Sequence, residues 1–236
     1  MQVLSEKEKE RYTRHLAIDG FDEIHQLKLK NAKVLIVGTG GLGSPVSLYL
    51  SAAGVGTLGL IDNDVVSLSN LQRQVLYNED EIGISKIELA NKKLKSQNNN
   101  VIINLYNTRF TPENAIDIAK EYDIVVDCTD NFITRYLIDE VCEKLKKPFV
   151  YGSISGFSGQ VSVFHLNSSI SYTILFPEKP EQPKNIIGVI GTTPAIIGSI
   201  QANEVIKIIT GIGKTLSGKL LMINTKELKF DVLNIC

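Results

Sequence analysis

KVLIVGTGGLGSPVSLYLSAAGVGTLGLID, residues 33–62, holds a strand, a glycine loop, a helix and a second strand in one uninterrupted run. Lys33–Val37 is apolar and β-branched after its first residue, the pattern of a strand buried on both faces. Gly38-Thr-Gly-Gly-Leu-Gly43 comes next, Leu42–Ala53 reads as a helix that Gly54 stops, and Thr57–Ile61 reads as the next strand. Together they form a βαβ unit. Gly38, Gly40 and Gly43 match G-x-G-x-x-G in the strand-to-helix context that gives the pattern its meaning. Glycines let the backbone approach a phosphate, and the helix start offers free N–H groups to it. Asp62 ends the second strand, where a carboxylate can accept hydrogen bonds from ribose hydroxyls. These residues point to an adenine nucleotide and leave NAD and ATP both open. The bland alternative is a tight turn with no ligand.

Outward from this unit, Lys86–Ser96 reads as a helix, Val101–Tyr106 as a strand, Glu113–Lys120 as a helix and Ile124–Asp127 as a strand. Asn131–Lys146 reads as a long helix ended by Pro148, and Phe149–Gly152 as a strand. Alternating strands and helices predict an α/β fold, a Rossmann-like, doubly wound and mostly parallel sheet. The pattern changes after residue 152. Gly159–His165 alternates as an antiparallel strand does, Thr192–Thr210 reads as a helix ended by Gly211, and Lys219–Ile223 with Leu228–Leu233 reads as a closing hairpin. Antiparallel C-terminal strands on the same sheet are therefore expected. Phe176–Asn185, rich in proline and charge, reads as an extended, mobile loop. The expected organisation is a single domain over residues 1–236: an N-terminal helical segment (1–30), a nucleotide-binding core (31–152) and an extension (153–236).

Composition narrows the function classes. The formal net charge is −1, so no global basic field favours nucleic acid. No apolar stretch is long enough to span a membrane and the first residues lack a signal peptide's apolar core, so a cytoplasmic protein is expected. Three cysteines, Cys128, Cys142 and Cys236, form no CxxC pair. Among the cations only Arg11, Arg14, Arg73, Arg109 and Arg135 are arginine; the rest are lysine. An arginine in such a chain points to a task that needs a planar fork, such as binding phosphate or carboxylate.

A polar cluster lies beyond the second strand. Within VVSLSNLQRQ, residues 65–74, Asn70 and Arg73 stand one helical turn apart; Lys86 comes next, then Asp130 and Asn131 beyond the fourth strand. Hydride transfer needs no arginine, lysine and extra carboxylate around the phosphates. Nucleotidyl transfer does, because cations offset charge at the α-phosphate and a carboxylate holds Mg²⁺. Surface salt bridges at Arg73 and Lys86, and a helix cap at Asp130, are the bland readings of the same residues.

RYTRH (11–15), GTGGLGSP (38–45), AAGVGTLGLIDNDVVSLSNLQRQVLY (52–77), GISK (83–86), DCTDNFITR (127–135) and GVIGTTPAIIGSIQANEVIK (188–207) together resemble the ThiF/MoeB/HesA family of sulfur-carrier adenylyltransferases, relatives of ubiquitin-activating enzymes. The resemblance runs from about Arg11 to Leu233. It implies a ThiF-type adenylation domain that uses ATP and Mg²⁺ to activate the C-terminal Gly-Gly carboxylate of a small ubiquitin-like sulfur-carrier protein. Pyrophosphate is released, and a sulfur donor protein then makes a thiocarboxylate for thiamine, molybdopterin or related sulfur transfer. By position, Gly41 touches the nucleotide and Asp62 binds ribose. Ser69, Asn70, Leu71, Gln72, Arg73 and Lys86 hold phosphates, and Asp130 and Asn131 bind Mg²⁺ and ATP. Arg14 reaches the triphosphate of the other subunit in a homodimer.

The chain departs from that family in its cysteines. Many members hold a structural zinc between two CxxC pairs; one pair falls where this chain has Ser171-Tyr172-Thr173-Ile174, and the other would come after Cys236. No zinc is expected, and the closing hairpin should instead be held by packing of Leu220, Ile223, Phe230 and Leu233. Gln182-Pro183-Lys184-Asn185 stands where some members have a reactive cysteine. Cys128 and Cys142 read as buried, inert thiols, and His15, His25 and His165 as solvated or packed side chains. Three other readings stay open: adenylation of another peptide or protein C-terminus, an NAD-dependent oxidoreductase, and a dimerising partner without chemistry.

Overall fold

The computed structural model describes residues 3–167, 170–181 and 187–235. Three short helices come first, α1 (Glu6–Arg11), α2 (Thr13–Leu16) and α3 (Glu23–Asn31). Ser5 and Glu8 form a reciprocal capping box that starts α1. The core then alternates β1 (Lys33–Val37), α4 (Gly43–Ala53), β2 (Thr57–Ile61), α5 (Lys86–Gln97), β3 (Ile102–Tyr106), α6 (Ala115–Ala119), β4 (Ile124–Asp127), α7 (Phe132–Leu145) and β5 (Phe149–Ser155). After it come β6 (Ser158–Phe164), the one-turn α8 (Tyr172–Leu175), α9 (Thr192–Thr210), β7 (Lys219–Asn224) and β8 (Lys229–Asn234).

All the strands share one sheet of order β3-β2-β1-β4-β5-β6-β7-β8. Pairing is parallel from β3 to β5 and antiparallel from β5 to β8, as the alternation of the sequence predicts. Both faces are covered. One buried cluster joins Val34, Ile36, Leu50, Leu58, Leu60 and Ile197; the other joins Leu35, Val37, Val125, Ile138, Phe149 and Phe164. Neighbours along β1 thus point to opposite cores, which is why the strand reads as a continuous apolar run.

Two elements differ from the sequence reading for local reasons. β5 continues to Ser155 because it pairs with β6 along its whole length, from Phe149↔Phe164 to Ser155↔Ser158. α6 is shorter than predicted because Asn114 Oδ1 accepts from the Thr111 N–H at 2.9 Å, closing a turn before the helix can begin.

The hairpin corrects an expectation. Leu220 and Ile223 are 6% and 3% exposed, but Phe230 and Leu233 are 55% and 47% exposed. β8 is an edge strand, and α9 packs mainly over β5 and β6. The cross-strand pair Ile223↔Phe230 therefore has one member in the core and one in solvent. Ile223→Ala should cost about 2–5 kcal/mol in urea unfolding, and Phe230→Ala less than about 1 kcal/mol. Equal losses would mean that the hairpin is packed as the sequence suggested.

Candidate active site

Strand order reverses at β1, with β2 and β3 on one side and β4 on the other, so the carboxyl ends of β1 and β4 border a crevice. Gly38 leaves β1 with a φ of 95°, and a Cβ there would lie 2.6 Å from the Cys128 carbonyl oxygen. Both the left-handed backbone and the close approach demand glycine. Gly43 is as confined: its Cβ would stand 2.1 Å from the Gly38 carbonyl oxygen, so α4 starts hard against the loop. Between them Thr39 is locked, its N–H and hydroxyl donating to Asp62 Oδ2 at 2.8 and 2.9 Å. The Tyr77 hydroxyl donates to the Thr39 carbonyl at 2.9 Å, and burial pushes that phenol well above its ordinary pKa, so it stays a donor. Asp62 is thus a strut of the glycine loop as well as the expected ribose ligand. Its other oxygen accepts from the Asp64 N–H at 2.9 Å.

A cleft of about 1650 Å³ opens from this loop and extends over β5, β6 and β7 to Gln160, Met222 and Asn224. Gly38, Gly40, Gly41, Asp62, Ser69, Asn70, Gln72, Arg73, Lys86, Asp130 and Asn131 all line it. Gly43 and Leu71 do not: Gly43 lies beneath the loop and Leu71 packs on the core. Arg14 is exposed on α2 and is absent from the cleft of its own chain.

The cleft's charged groups are held in different ways. Lys86, the first residue of α5, is almost fully buried, and its Nζ donates to Asp64 Oδ2 at 2.9 Å. An Arg73 terminal N–H donates to the Ser69 carbonyl at 3.0 Å. Asp130 makes no hydrogen bond or ion pair among the described residues and is exposed to the cleft. Asn131, not Asp130, caps α7: its Oδ1 accepts from the Thr134 N–H at 2.8 Å. Asn131 therefore reaches a ligand only with the rest of its side chain. Cys128 lines the cleft, and burial holds its thiol well above its ordinary pKa; burial does the same to Cys142.

Several site residues carried no assignment in the sequence. The Arg135 Nε donates to Asp127 Oδ2 at 2.6 Å, with both side chains buried. Its terminal nitrogen reaches the Thr129 and Gly152 carbonyls at 3.3 and 3.4 Å. Burial opposes the charge on Arg135, but the Asp127 carboxylate outweighs it and raises the guanidinium pKa. Asp127 Oδ1 also accepts from the Thr129 N–H and hydroxyl at 2.9 and 2.7 Å, shaping the turn that presents Asp130. The scarcity of arginine was the signal available for Arg135. Gln201 of α9 donates to the Asp127 carbonyl at 2.7 Å, and Gln74 lies beside Gly40; the Oε1 of each is buried with no partner among the described residues. Among the described residues no group of three or more His, Cys, Asp or Glu is placed to hold a metal ion, and no helix is long and apolar enough to cross a membrane. Cys236 and Gln182-Pro183-Lys184-Asn185 lie outside the described residues.

Known proteins resemble this chain in sequence and fold. The chain is 43% identical over 243 residues to a probable adenylyltransferase/sulfurtransferase MoeZ of Mycobacterium tuberculosis, covering 99% of this chain and 62% of that protein. It is 47% identical over 238 residues to an adenylyltransferase and sulfurtransferase MOCS3 of Caenorhabditis briggsae, covering 98% and 59%. The chain thus spans about three-fifths of the length of these relatives. The crystal structure of E. coli MccB with ATP superposes with a TM-score of 0.83 at 26% identity, over 99% of this chain and 74% of that one. The ThiF family model matches residues 12–235, and the chain belongs to the ThiF family.

Proposed function

We propose that this chain is an adenylyltransferase that activates the C-terminal carboxylate of a small ubiquitin-like sulfur-carrier protein ending in Gly-Gly. One observation carries the reading. The cleft joins a phosphate-binding glycine loop, Arg73, Lys86 and an unpaired Asp130 to a long extension over β5–β7. Its volume of about 1650 Å³ exceeds the roughly 300–1,000 Å³ that a small ligand needs, leaving room for a nucleotide and an extended chain end together. The names of the relatives, adenylyltransferase and sulfurtransferase, support the same chemistry.

The reaction makes one bond and breaks one. An oxygen of the carrier carboxylate attacks the α-phosphorus of ATP, the bond to the β-phosphate oxygen breaks, and pyrophosphate leaves with its electron pair. No proton moves, because the nucleophile is already ionised. The chain's task is therefore alignment and charge stabilisation. Loop N–H groups and the start of α4 face the phosphates, Asp62 takes the ribose, and Arg73 and Lys86 face the oxygens on which charge develops. Lys86 arrives already fixed by Asp64, so little reorganisation is needed. Asp130 suits a hard cation, being a cleft carboxylate with no internal partner. It would hold Mg²⁺ against the phosphates, where the ion neutralises their charge. The buried thiols of Cys128 and Cys142, with raised pKa values, favour a direct step without a cysteine nucleophile. A sulfur donor protein then converts the acyl-adenylate to a thiocarboxylate, in thiamine, molybdopterin or related metabolism. The fit to MccB favours a second reading, adenylation of a peptide C-terminus by the same groups.

With Mg²⁺, ATP and a Gly-Gly carrier, the purified protein should exchange labelled pyrophosphate into ATP. Asp130→Ala and Lys86→Ala should each lower that exchange by about 10²–10³-fold. Exchange that ignores the carrier, or binding of NAD in place of ATP, would remove the proposal.

The placement of Arg14 outside its own chain's cleft supports a homodimer in which the partner supplies it. Arg14→Ala and Asp130→Ala chains should each be inactive alone. Random mixing makes about half the dimers mixed, each with one intact site, so roughly a quarter of all sites should recover. Confirmed subunit exchange without recovery would place Arg14 in its own site or in none.

A further inference from the structure

α7 presents one face to two ends of the cleft. Arg135 and Tyr136 lie one turn from Asp139 along that face. Arg135 is fixed to Asp127 and to the Thr129 carbonyl, where β4 delivers Asp130 to the nucleotide end. Tyr136 donates its hydroxyl to the Phe176 and Glu178 carbonyls at 2.6 and 3.0 Å. Asp139 is buried and does not line the cleft. Its Oδ1 accepts from His165 Nε2 at 2.7 Å and from the Tyr172 N–H at 2.9 Å; its Oδ2 accepts from the Thr173 N–H and hydroxyl at 2.9 and 2.7 Å.

This carboxylate fills both its oxygens from His165 and from residues 172–173, a segment held besides by Tyr136 and by the ring contacts of Tyr172 and Phe176 with Tyr151. α8 is a single turn, and Thr173 is exposed apart from this anchor. Burial alone would raise the Asp139 pKa, but the hydrogen bonds from His165, Thr173 and Tyr172 outweigh it and keep the group ionised. His165 reaches it from a left-handed backbone conformation, φ 57°, just after β6. A non-glycine residue adopts that conformation at a cost, and only where its surroundings fix it. The segment so anchored supplies Tyr172, Phe176 and Glu178 to the cleft wall. That wall packs on β5 and β6, where Tyr172 meets Phe149, Tyr151 and Phe164, at least two strands along the sheet from the glycine loop on β1; Arg135, 6.0 Å from the Tyr172 ring, stands between the two ends.

We propose that Asp139 is a positioning residue for the acceptor end of the cleft, fixing the wall of Tyr172, Phe176 and Glu178 against which the chain end to be adenylated lies. This rests on the adenylation reading above. A positioning role at that end alone separates acceptor handling from nucleotide handling. Asp139→Asn keeps the shape but turns an N–H₂ group toward donors that need an acceptor.

The test uses the full chain, MgATP and a synthetic decapeptide ending in Gly-Gly. In Asp139→Asn, KM for the peptide should rise about tenfold in pyrophosphate exchange, with kcat and KM for ATP within about twofold. Hydrogen exchange of the backbone over residues 170–178 should quicken at least tenfold, with the β1–β4 amides unchanged. Thr173→Val removes a single hydrogen bond of the set and should move both readouts in the same direction by about threefold; it stands in if Asp139→Asn fails to fold. Unchanged exchange over 170–178, or a loss shared equally by peptide and ATP, would overturn the assignment. If the wild type shows no peptide-dependent reaction, the adenylation reading fails for this acceptor. Hydrogen exchange, together with the Kd for MgATP by calorimetry, then decides whether Asp139 holds the segment.

Discussion

A methyl group at Gly38 would sit 2.6 Å from the Cys128 carbonyl oxygen, and the site depends on that clearance. β1 and β4 are neighbours in the sheet, and the loops that leave them turn away from each other around the crevice. Only a residue without a Cβ lets the two loops pass this closely. Gly43 repeats the constraint one turn later, bringing the start of α4 against the Gly38 carbonyl. The start of α4 is thereby set close beneath the loop, and a helix start favours an anion near it. Thr39 cannot relax out of this arrangement, because Asp62 and Tyr77 hold its N–H, hydroxyl and carbonyl. The glycine loop is preorganised from three sides, by β2, by the segment carrying Tyr77 and by β4.

The parallel strands were legible because burial on both faces leaves a signature within a few consecutive residues. β1, β2 and β4 have the bounds read from their apolar runs. The groups that come after strands, such as Asp62, Lys86 and Asp130, were legible for a related reason: an α/β sheet delivers the residues beyond each parallel strand to one edge. Pairs made by tertiary approach escaped the sequence. Asp127 and Arg135 look like parts of a motif and a helix, and nothing in their spacing says that one neutralises the other in the interior. Asp64 lies close to Asp62 in the chain, yet it is the partner of Lys86. Asp139 and His165 are 26 positions apart and meet only because α7 packs on β5, the strand that β6 pairs with. The β8 side chains failed the other way. Their alternation says strand, but exposure is set by how far α9 reaches across the sheet, a property of another element.

The weight of the oxidoreductase alternative also changes with the structure. A nicotinamide enzyme shares the glycine loop and the carboxylate after β2, so neither discriminates. Lys86 does. It is carried by a different helix, is almost entirely buried, lines the cleft and is fixed by Asp64, two residues beyond Asp62. Desolvating a lysine is costly unless a charge meets it, and the single partly exposed Asp64 leaves capacity for a second anion. A dimerising partner without chemistry has no use for that buried cation in one cleft with an Asp130 unpaired among the described residues.

The arginines separate structural from chemical use of charge. Arg135 closes on Asp127 and on the Thr129 and Gly152 carbonyls inside the chain, while Arg11 has one hydrogen bond, to the Gln97 carbonyl, away from the cleft. Arg73 has one internal hydrogen bond, to Ser69, on a guanidinium with five donors. Arg14 and Arg109 make no side-chain hydrogen bond or ion pair among the described residues, and Arg109 lines the cleft. The forked cation thus stands in two settings at the cleft: in Arg135 a carboxylate and carbonyls of the protein fill the fork, and in Arg73 and Arg109 most or all of it is left open. Open forks suit an anion with several equivalent oxygens, which binds through geometry as well as charge. A triphosphate presents such oxygens at each phosphorus. Arg73 and Arg109 line the same cleft and can meet it there, whereas Arg14 stands outside the cleft of its own chain.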